Sequence, residues 1–107
     1  MKFRVAVLLA ALLSLPVQPA GAAKPLVSAL IMQKTTRVHN CEEPVWNING
    51  PKYYGGLGWL DATWLAFRSP GDPRYMSQAS PQRQARAMSR FAAKYNWPDQ
   101  FGCQGSY

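Results

Sequence analysis

The chain has 107 residues and carries 12 Lys and Arg against 5 Asp and Glu, which gives a formal net charge of +7. A chain this short forms at most one small domain, which excludes a large multidomain enzyme and favours some covalent reinforcement of the fold. Hydrophobic residues make up 48% and charged residues 16% of the sequence, a composition too apolar for a disordered basic tail. The composition therefore predicts a folded, cationic module that is rich in aromatic residues.

The first residues have the three-part order of a secretory signal peptide. Lys2 and Arg4 precede an apolar run over residues 5–13, and small residues follow at 20–23. The run is shorter than the roughly 20 apolar residues of a membrane helix, which favours a cleaved leader over an uncleaved anchor. We predict a signal peptide over residues 1–23, a mature domain over residues 24–107, a secreted or cell-wall location and no membrane span. Loss of Lys2 and Arg4 lowers the formal charge from +7 by two to +5.

Cys41 and Cys103 are the two cysteines, and they lie near opposite ends of the predicted mature domain. In an exported protein, such a pair indicates a disulfide. Zinc would need more ligands than the single histidine, His39, can add. We therefore predict a Cys41–Cys103 disulfide, worth about 4 kcal/mol for a loop of this length, and neither a metal nor a cofactor.

The mature chain begins with a predicted helix that ends at about residue 43. Ser28 is a suitable N-cap, and Pro44 stops the helix. Residues at helical spacing mark one face of it: Ile31, Thr35, Val38 and Glu42. This periodicity predicts an amphipathic α-helix.

Residues 46–59 are rich in Gly, Asn, Tyr and Trp and contain the turn sequence Asn49-Gly50-Pro51. This pattern predicts a hairpin or a compact loop. A second, short helix is expected to begin at Asp61, whose carboxylate would cap it, and to end at about Arg68. The sequence Ser69-Pro70-Gly71 then ends this helix.

The last predicted helix begins with Ser80 as N-cap and Pro81 at its first position, and it ends at Asn96. One face is apolar and consists of Ala85, Met88, Ala92 and Tyr95. The other face is basic and consists of Arg83, Arg86, Arg90 and Lys94. A basic face is usually a solvated surface, and the alternative is attraction to an anionic envelope polymer. Nucleic acid is not an expected partner. The fold class is thus α+β and mainly helical.

The acidic residues are few enough to consider one by one: Glu42, Glu43, Asp61, Asp72 and Asp99. Glu42 and Glu43 lie at the end of the first helix, where successive side chains point about 100° apart, so one of them at most faces a cleft. The ordinary interpretation is a pair of surface carboxylates. No nucleophile-elbow sequence accompanies His39, and no Lys-Ser or Lys-Thr follows the glycines at 55–58, which excludes a phosphate loop.

Several short motifs in residues 30–103 follow one another in a characteristic order: Cys41-Glu42, Ile48-Asn49, Tyr53-Tyr54-Gly55-Gly56-Leu57, Thr63-Trp64, Trp97-Pro98 and Cys103. This ordered set resembles the resuscitation-promoting factor family, whose members are secreted and carry a small lysozyme-like domain that cleaves peptidoglycan. The resemblance implies a lysozyme-like domain with a short hairpin region, a disulfide and peptidoglycan glycan strands as the partner. It leaves open a second cell-wall hydrolase as a further partner, and we expect a monomer.

The resemblance also implies roles for individual residues. Glu42 would be the catalytic acid, because the glutamate of the family directly follows the first cysteine. The substrate-binding residues would be Trp46, Asn49, Tyr53, Tyr54, Trp59 and Thr63. A glycosidic oxygen leaves readily only when protonated, so the acid must keep its proton near neutral pH, and burial beside aromatic rings has that effect. The ordinary interpretation of each aromatic residue is core packing.

Three features depart from the family pattern. Gly58 stands where the family usually has Gln, residues 43–45 and 50–52 differ from the small glycine-rich segments of the family, and residues 99–102 lengthen the segment before Cys103. The predicted function is cleavage of the β-1,4 bond between N-acetylmuramic acid and N-acetylglucosamine by a muramidase or a lytic transglycosylase. The alternatives are a weak or inactive peptidoglycan-binding module and, third, a cationic peptide that disrupts the envelope.

The predicted disulfide has a direct chemical test. Thiol labelling of the denatured, unreduced mature protein should detect no free cysteine, and labelling after reduction should detect both Cys41 and Cys103. Stoichiometric labelling without reduction would contradict the pairing.

Overall fold

The computed structural model describes residues 24–98, and this part of the chain is mainly helical. It contains α1 (Ala29–Glu42), α2 (Asp61–Phe67), a 3₁₀ helix (Met76–Gln78) and α3 (Pro81–Tyr95). Within residues 24–98, no helix has both the length and the apolar character needed to cross a membrane. The predicted signal peptide, residues 1–23, lies outside the described residues. Cys103 lies outside them too, so the disulfide with Cys41 stays a prediction.

Helix α1 confirms its predicted boundaries. The Ser28 hydroxyl accepts a hydrogen bond from the Ile31 N–H at 3.1 Å, which satisfies one of the unpaired donors at the start of the helix. The helix ends at Glu42, two residues before Pro44. Thr35 and Val38 are buried as expected, and His39 is buried beside them.

Helix α2 begins at Asp61 as predicted, but the expected cap is wrong. The N-cap residue is Leu60, and no side chain caps the helix. The Asp61 carboxylate instead accepts two hydrogen bonds from the Arg74 guanidinium, at 2.8 and 2.9 Å. This paired hydrogen bonding to Arg74 lowers the pKa of Asp61 below its ordinary value. A bidentate arginine therefore outcompetes the helix backbone for this carboxylate.

Helix α3 also confirms its predicted start, because the Ser80 hydroxyl accepts a hydrogen bond from the Arg83 N–H at 3.2 Å. The helix ends at Tyr95. Its predicted apolar face needs one correction, since Tyr95 is 57% exposed. Tyr95 lies in the last turn, where its ring meets those of Phe67 and Phe91 at centroid distances of 6.1 and 5.1 Å.

The core forms where α3 packs against both α1 and α2. Its largest fully buried apolar side chains come from all parts of the described chain: Val38, Leu57, Trp59, Trp64, Met76 and Met88. Trp59 meets Phe91 and Phe67 with ring centroids 5.4 and 6.1 Å apart. Such edge and tilted contacts are favourable arrangements of aromatic rings. Helix α3 is therefore the element on which the other two helices are assembled.

The basic face of α3 is engaged by a buried carboxylate. Asp72, whose side chain has 0% exposure, accepts hydrogen bonds from Arg83 at 2.7 Å and from Arg86 at 3.0 Å. Its second oxygen accepts the Ser69 N–H at 2.8 Å. Burial raises the pKa of Asp72, but the hydrogen bonds from Ser69 and the two arginines outweigh it, so that the pKa lies below its ordinary value of 3.8. Two of the four basic residues predicted to face solvent, Arg83 and Arg86, thus hold the segment at residues 69–72 against α3.

This buried ion pair predicts both a loss of stability and a pH dependence. Asp72→Asn removes the charge that compensates Arg83 and Arg86, and we expect the free energy of unfolding in urea at pH 7 to fall by about 1–3 kcal/mol. The matched variant Asp61→Asn breaks an exposed pair and should change the free energy little.

Because folding lowers the pKa of Asp72, its stabilisation is complete above pH 3.8 and is lost as the pH falls through the lower, folded-state pKa. The difference between wild type and Asp72→Asn should therefore shrink in strongly acidic urea titrations. An equal free energy of unfolding for both proteins at pH 7 would contradict the role assigned to Asp72.

Candidate active site

Residues 46–59, here called the site loop, contain most of the residues that the resemblance assigns to the substrate. The predicted hairpin is reduced to two isolated antiparallel bridges, Asn49 with Tyr54 and Tyr54 with Trp59, and no strand is present in residues 24–98. Gly50, Gly55 and Gly58 have positive φ angles, which interrupt extended backbone every few residues. Of the two structures predicted for residues 46–59, a hairpin or a compact loop, the compact loop is the one observed.

The Gly55-Gly56 pair lies where side chains cannot fit. A Cβ atom on Gly56 would lie 2.4 Å from Trp46 Cε3 and 2.9 Å from His39 Nδ1. A Cβ atom on Gly55 would lie 2.4 Å from Met76 Cγ. These distances are far below van der Waals contact, so both glycines are required by close packing of the backbone on neighbouring side chains.

Gln84 of α3 ties the site loop to the core. Its Oε1 accepts the Gly56 N–H at 2.7 Å. Its Nε2 lies within hydrogen-bond distance of three carbonyl oxygens, those of Trp46 at 2.9 Å, Ala79 at 2.9 Å and Met76 at 3.1 Å. Gln84 is fully buried, so these bonds replace the water that the amide loses on folding. One side chain thus fixes both the start and the middle of the site loop.

His39 of α1 holds the same glycine from the other side. Its Nδ1 lies 2.7 Å from the Gly56 carbonyl oxygen, and because a carbonyl only accepts, Nδ1 carries the proton and donates it. The His39 ring stacks on Trp46 with centroids 3.9 Å apart and an interplanar angle of 20°. The Gly56 backbone is therefore hydrogen-bonded through its N–H to α3 and through its C=O to α1.

Glu42, the predicted acid, is the last residue of α1. Residues three apart on a helix are neighbours on its surface, so Glu42 shares the side of α1 that carries His39. Its side chain is partly buried, and its Oε1 atom is shielded from solvent. The neighbouring Glu43 lies outside the helix. Of Glu42 and Glu43, Glu42 is therefore the residue that lies on the same side of α1 as His39, which contacts the site loop.

The predicted substrate-binding tyrosines lie at the edge of the site loop. Tyr53 and Tyr54 are both partly exposed. The Tyr54 ring lies parallel to that of Tyr75, with centroids 5.8 Å apart. The Lys52 ammonium lies 5.2 Å from the Tyr53 ring centroid. Both tyrosines thus keep some solvent-accessible surface, although Tyr54 also packs against the core.

The other predicted substrate-binding residues occupy different environments. Asn49 is exposed, and its Oδ1 accepts a hydrogen bond from the Ser77 hydroxyl at 2.8 Å. Thr63 is partly buried in the first turn of α2. Trp46 is partly buried and covers His39. Trp59 requires a correction, because it is 0% exposed and packs in the core. No sugar can stack on a ring that has no solvent-accessible surface.

Both aspartates of the described chain are bound to arginine, Asp61 to Arg74 and Asp72 to Arg83 and Arg86. Residues 24–98 contain no cluster of His, Cys, Asp and Glu that could hold a metal ion. A depression of about 620 Å³ runs along the other side of α1 and contains none of the predicted site residues; it is lined by Ala29, Met32, Gln33, Thr36, Arg37 and Asn40.

Three residues of this region were not identified from the sequence as part of it. The sequence suggests His39 as a zinc ligand or a catalytic base, although its place beside Val38 on the buried face of α1 indicates a structural role. Gln84 and Tyr75 carry no local pattern that reveals their contacts with the site loop. Those contacts join positions far apart in the chain.

Comparison of the chain with models of known protein families, with curated proteins and with solved structures finds no match.

The anchoring role of Gln84 can be tested against a neighbour on the same helix. Gln84→Leu leaves the Gly56 N–H and several buried carbonyls without their partner, and we expect the free energy of unfolding to fall by about 2–4 kcal/mol. Gln82→Leu changes an exposed glutamine two positions away and should have little effect. Urea denaturation of both variants checks this, and equal stabilities would contradict the role assigned to Gln84.

Proposed function

We propose that this protein is a secreted peptidoglycan-cleaving enzyme with a lysozyme-like domain, and that Glu42 is its general acid. The observation that carries the proposal is the position of Glu42. It ends α1 beside the site loop, and one of its carboxylate oxygens is shielded from solvent. A general acid must lie beside the bond that it cleaves, and the end of α1 next to the site loop gives Glu42 such a position.

The site loop supports the proposal because the motif residues that resemble the resuscitation-promoting factor family occur together there. Gly55 and Gly56 allow the loop to pack against Met76, Trp46 and His39. Tyr53 and Tyr54 precede the two glycines and are partly exposed. A flat aromatic ring matches the apolar face of a pyranose. The loop thus combines a tightly held backbone with side chains suited to a glycan strand.

The proposed reaction needs only one carboxyl group. The Glu42 carboxyl transfers its proton to the glycosidic oxygen while the bond from this oxygen to C1 of N-acetylmuramic acid breaks, and N-acetylglucosamine leaves as an alcohol. The 6-hydroxyl of the same muramic acid attacks C1, and its proton passes to the Glu42 carboxylate. The product is a 1,6-anhydro sugar. If water attacks C1 instead, the same proton transfers give hydrolysis.

The single-acid route is supported by the state of the other carboxylates. A two-carboxylate glycosidase places its second acid about 5–10 Å from the first. Asp61 and Asp72 are each engaged by arginine, and Asp72 is fully buried. Asp99 lies outside the described residues. A nucleophile supplied by the substrate therefore fits this site better than a water activated by a second carboxylate.

A non-catalytic peptidoglycan-binding module is the second candidate, and Gly58 favours it. Gly58 adopts a φ angle of 63°, a conformation that side chains other than glycine rarely adopt. The turn at this position therefore excludes the glutamine amide that the family usually carries. A site without this amide has one hydrogen-bonding group fewer to orient the glycan or the acid.

The third candidate, an envelope-disrupting peptide, is not favoured by the arrangement of α3. Arg83 and Arg86 point to the buried Asp72, and the Arg90 guanidinium lies 3.2 Å from the Arg68 carbonyl oxygen. The basic face thus serves the fold. The formal charge of +5 predicted for the mature domain still favours approach to an anionic cell wall.

The decisive test compares Glu42→Gln with Glu43→Gln. Each variant loses one carboxylate at the end of α1, but only the first loses the proposed proton donor. Incubation with purified cell walls and mass spectrometry of the soluble products should show release by wild type, a loss of about 100-fold or more for Glu42→Gln, and near wild-type release for Glu43→Gln. Anhydromuropeptides among the products would identify transglycosylation.

Two other outcomes distinguish the alternatives. Equal release by wild type and Glu42→Gln would remove Glu42 from the mechanism. Sedimentation of wild type with cell walls and no soluble product would identify a binding module.

A further inference from the structure

Tyr75 extends the aromatic surface of the site loop beyond the residues that the motifs assign. Its ring lies parallel to that of Tyr54 within 25°, with centroids 5.8 Å apart. Tyr75 is 39% exposed, so a substantial part of its side chain is open to a ligand. The aromatic surface therefore continues from the site loop onto the segment that precedes the 3₁₀ helix.

A polar pair adjoins this ring. The Arg74 guanidinium carbon lies 4.5 Å from the centroid of Tyr75, and the same guanidinium binds both oxygens of Asp61. The Arg74 and Asp61 side chains are 47% and 32% exposed. Tyr75 is thus flanked by exposed hydrogen-bond donors and acceptors whose charges compensate each other.

The backbone holds this surface in place next to the site loop. The indole N–H of the buried Trp64 lies 3.1 Å from the carbonyl oxygens of both Pro73 and Arg74. On the far side of Tyr75, the Ser77 hydroxyl donates to Asn49 of the site loop at 2.8 Å. The segment that carries Arg74 and Tyr75 is therefore anchored at both ends, and its position relative to Tyr54 is defined.

The chemistry of the surface fits an uncharged sugar better than an ion. A free anion or cation would have to compete with the existing pair of Arg74 and Asp61. The hydroxyl and acetamido groups of an N-acetylhexosamine need both donors and acceptors, which this pair still offers at its exposed edges. The C–H groups of the same sugar can contact the exposed part of the Tyr75 ring.

We propose that Tyr75, Arg74 and Asp61 form a second sugar subsite, next to the site at Tyr54, that binds a further N-acetylhexosamine of a glycan strand. This inference rests on the proposed function, because it assumes that the site loop binds a glycan. The subsite sets the preferred length of the substrate. A strand that reaches Tyr75 binds more tightly than one that occupies only the site loop.

Calorimetric titration with peptide-free glycan fragments tests the subsite. The probes are the disaccharide and the tetrasaccharide of alternating N-acetylglucosamine and N-acetylmuramic acid, and every sample carries Glu42→Gln to prevent cleavage. Tyr75→Ala should weaken binding of the tetrasaccharide about fivefold to tenfold and leave binding of the disaccharide within twofold. Tyr75→Phe, which keeps the ring, should retain most of the affinity for the tetrasaccharide.

Tyr95→Ala is the matched control. Tyr95 is also an exposed tyrosine with a cation near its ring, since the Lys94 ammonium lies 5.2 Å from the ring centroid, but it lies at the end of α3. This variant should bind both fragments like its parent. Unchanged disaccharide binding by Tyr75→Ala shows that the variant is folded.

Equal affinities of Tyr75→Ala and its parent for the tetrasaccharide would overturn the subsite and leave the proposed function standing. An equal loss for both fragments would also overturn it, because Tyr75 would then belong to the site at Tyr54 or support the fold. If the parent bound neither fragment, both the subsite and the proposed function would be overturned.

Discussion

The backbone of Gly56 is the point on which the arrangement of the site depends. Its N–H donates a hydrogen bond to Oε1 of Gln84 in α3, at 2.7 Å. Its carbonyl oxygen accepts a hydrogen bond from Nδ1 of His39 in α1, also at 2.7 Å. Both partners are buried, so each bond satisfies groups that water cannot reach. Trp46 stacks on His39 and also lies so close to Gly56 that no Cβ atom fits between them. The glycine, the histidine, the glutamine and the tryptophan therefore form one interdependent cluster.

This cluster has a consequence for chemistry as well as for stability. Glu42 follows His39 by three positions on α1, so the bond that holds the site loop to His39 also fixes the loop relative to the carboxyl group. A general acid must lie within hydrogen-bond reach of the atom that it protonates, and small displacements are costly. If Glu42 is the acid, as proposed, a loop attached rigidly to the helix that bears it meets this requirement.

Features that depend on neighbouring residues could be predicted from the sequence, and those that depend on distant residues could not. Ser28 and Ser80 bond to N–H groups three positions on, so local pattern identifies both caps. The partners of Gln84 in the site loop lie 28 and 38 positions away, and no spacing rule reveals them.

Two of the incorrect predictions, those for Asp61 and Trp59, have the same origin. The local sequence of Asp61 predicts a helix cap, but its carboxylate binds Arg74 from the next segment. The local sequence of Trp59 predicts a binding-site residue, but its ring packs against Phe91 of α3. In each case a tertiary contact decides the role of a residue whose local pattern permits another one.

The distribution of charge over the fold restricts what the site can do. Arginines engage Asp61 and Asp72, and these ion pairs support the fold and the segment at residues 69–75. The other acids of the described chain are two adjacent glutamates, of which Glu42 has an oxygen shielded from solvent. One carboxyl group can donate and later accept a proton, but it cannot also activate a second nucleophile on the opposite face of the sugar. In the mechanism that we propose, the nucleophile therefore comes from the substrate or from unassisted water, and the 6-hydroxyl of muramic acid is carried by the ring that is attacked. The proposed mechanism thus favours the anhydro product over the hydrolysed one.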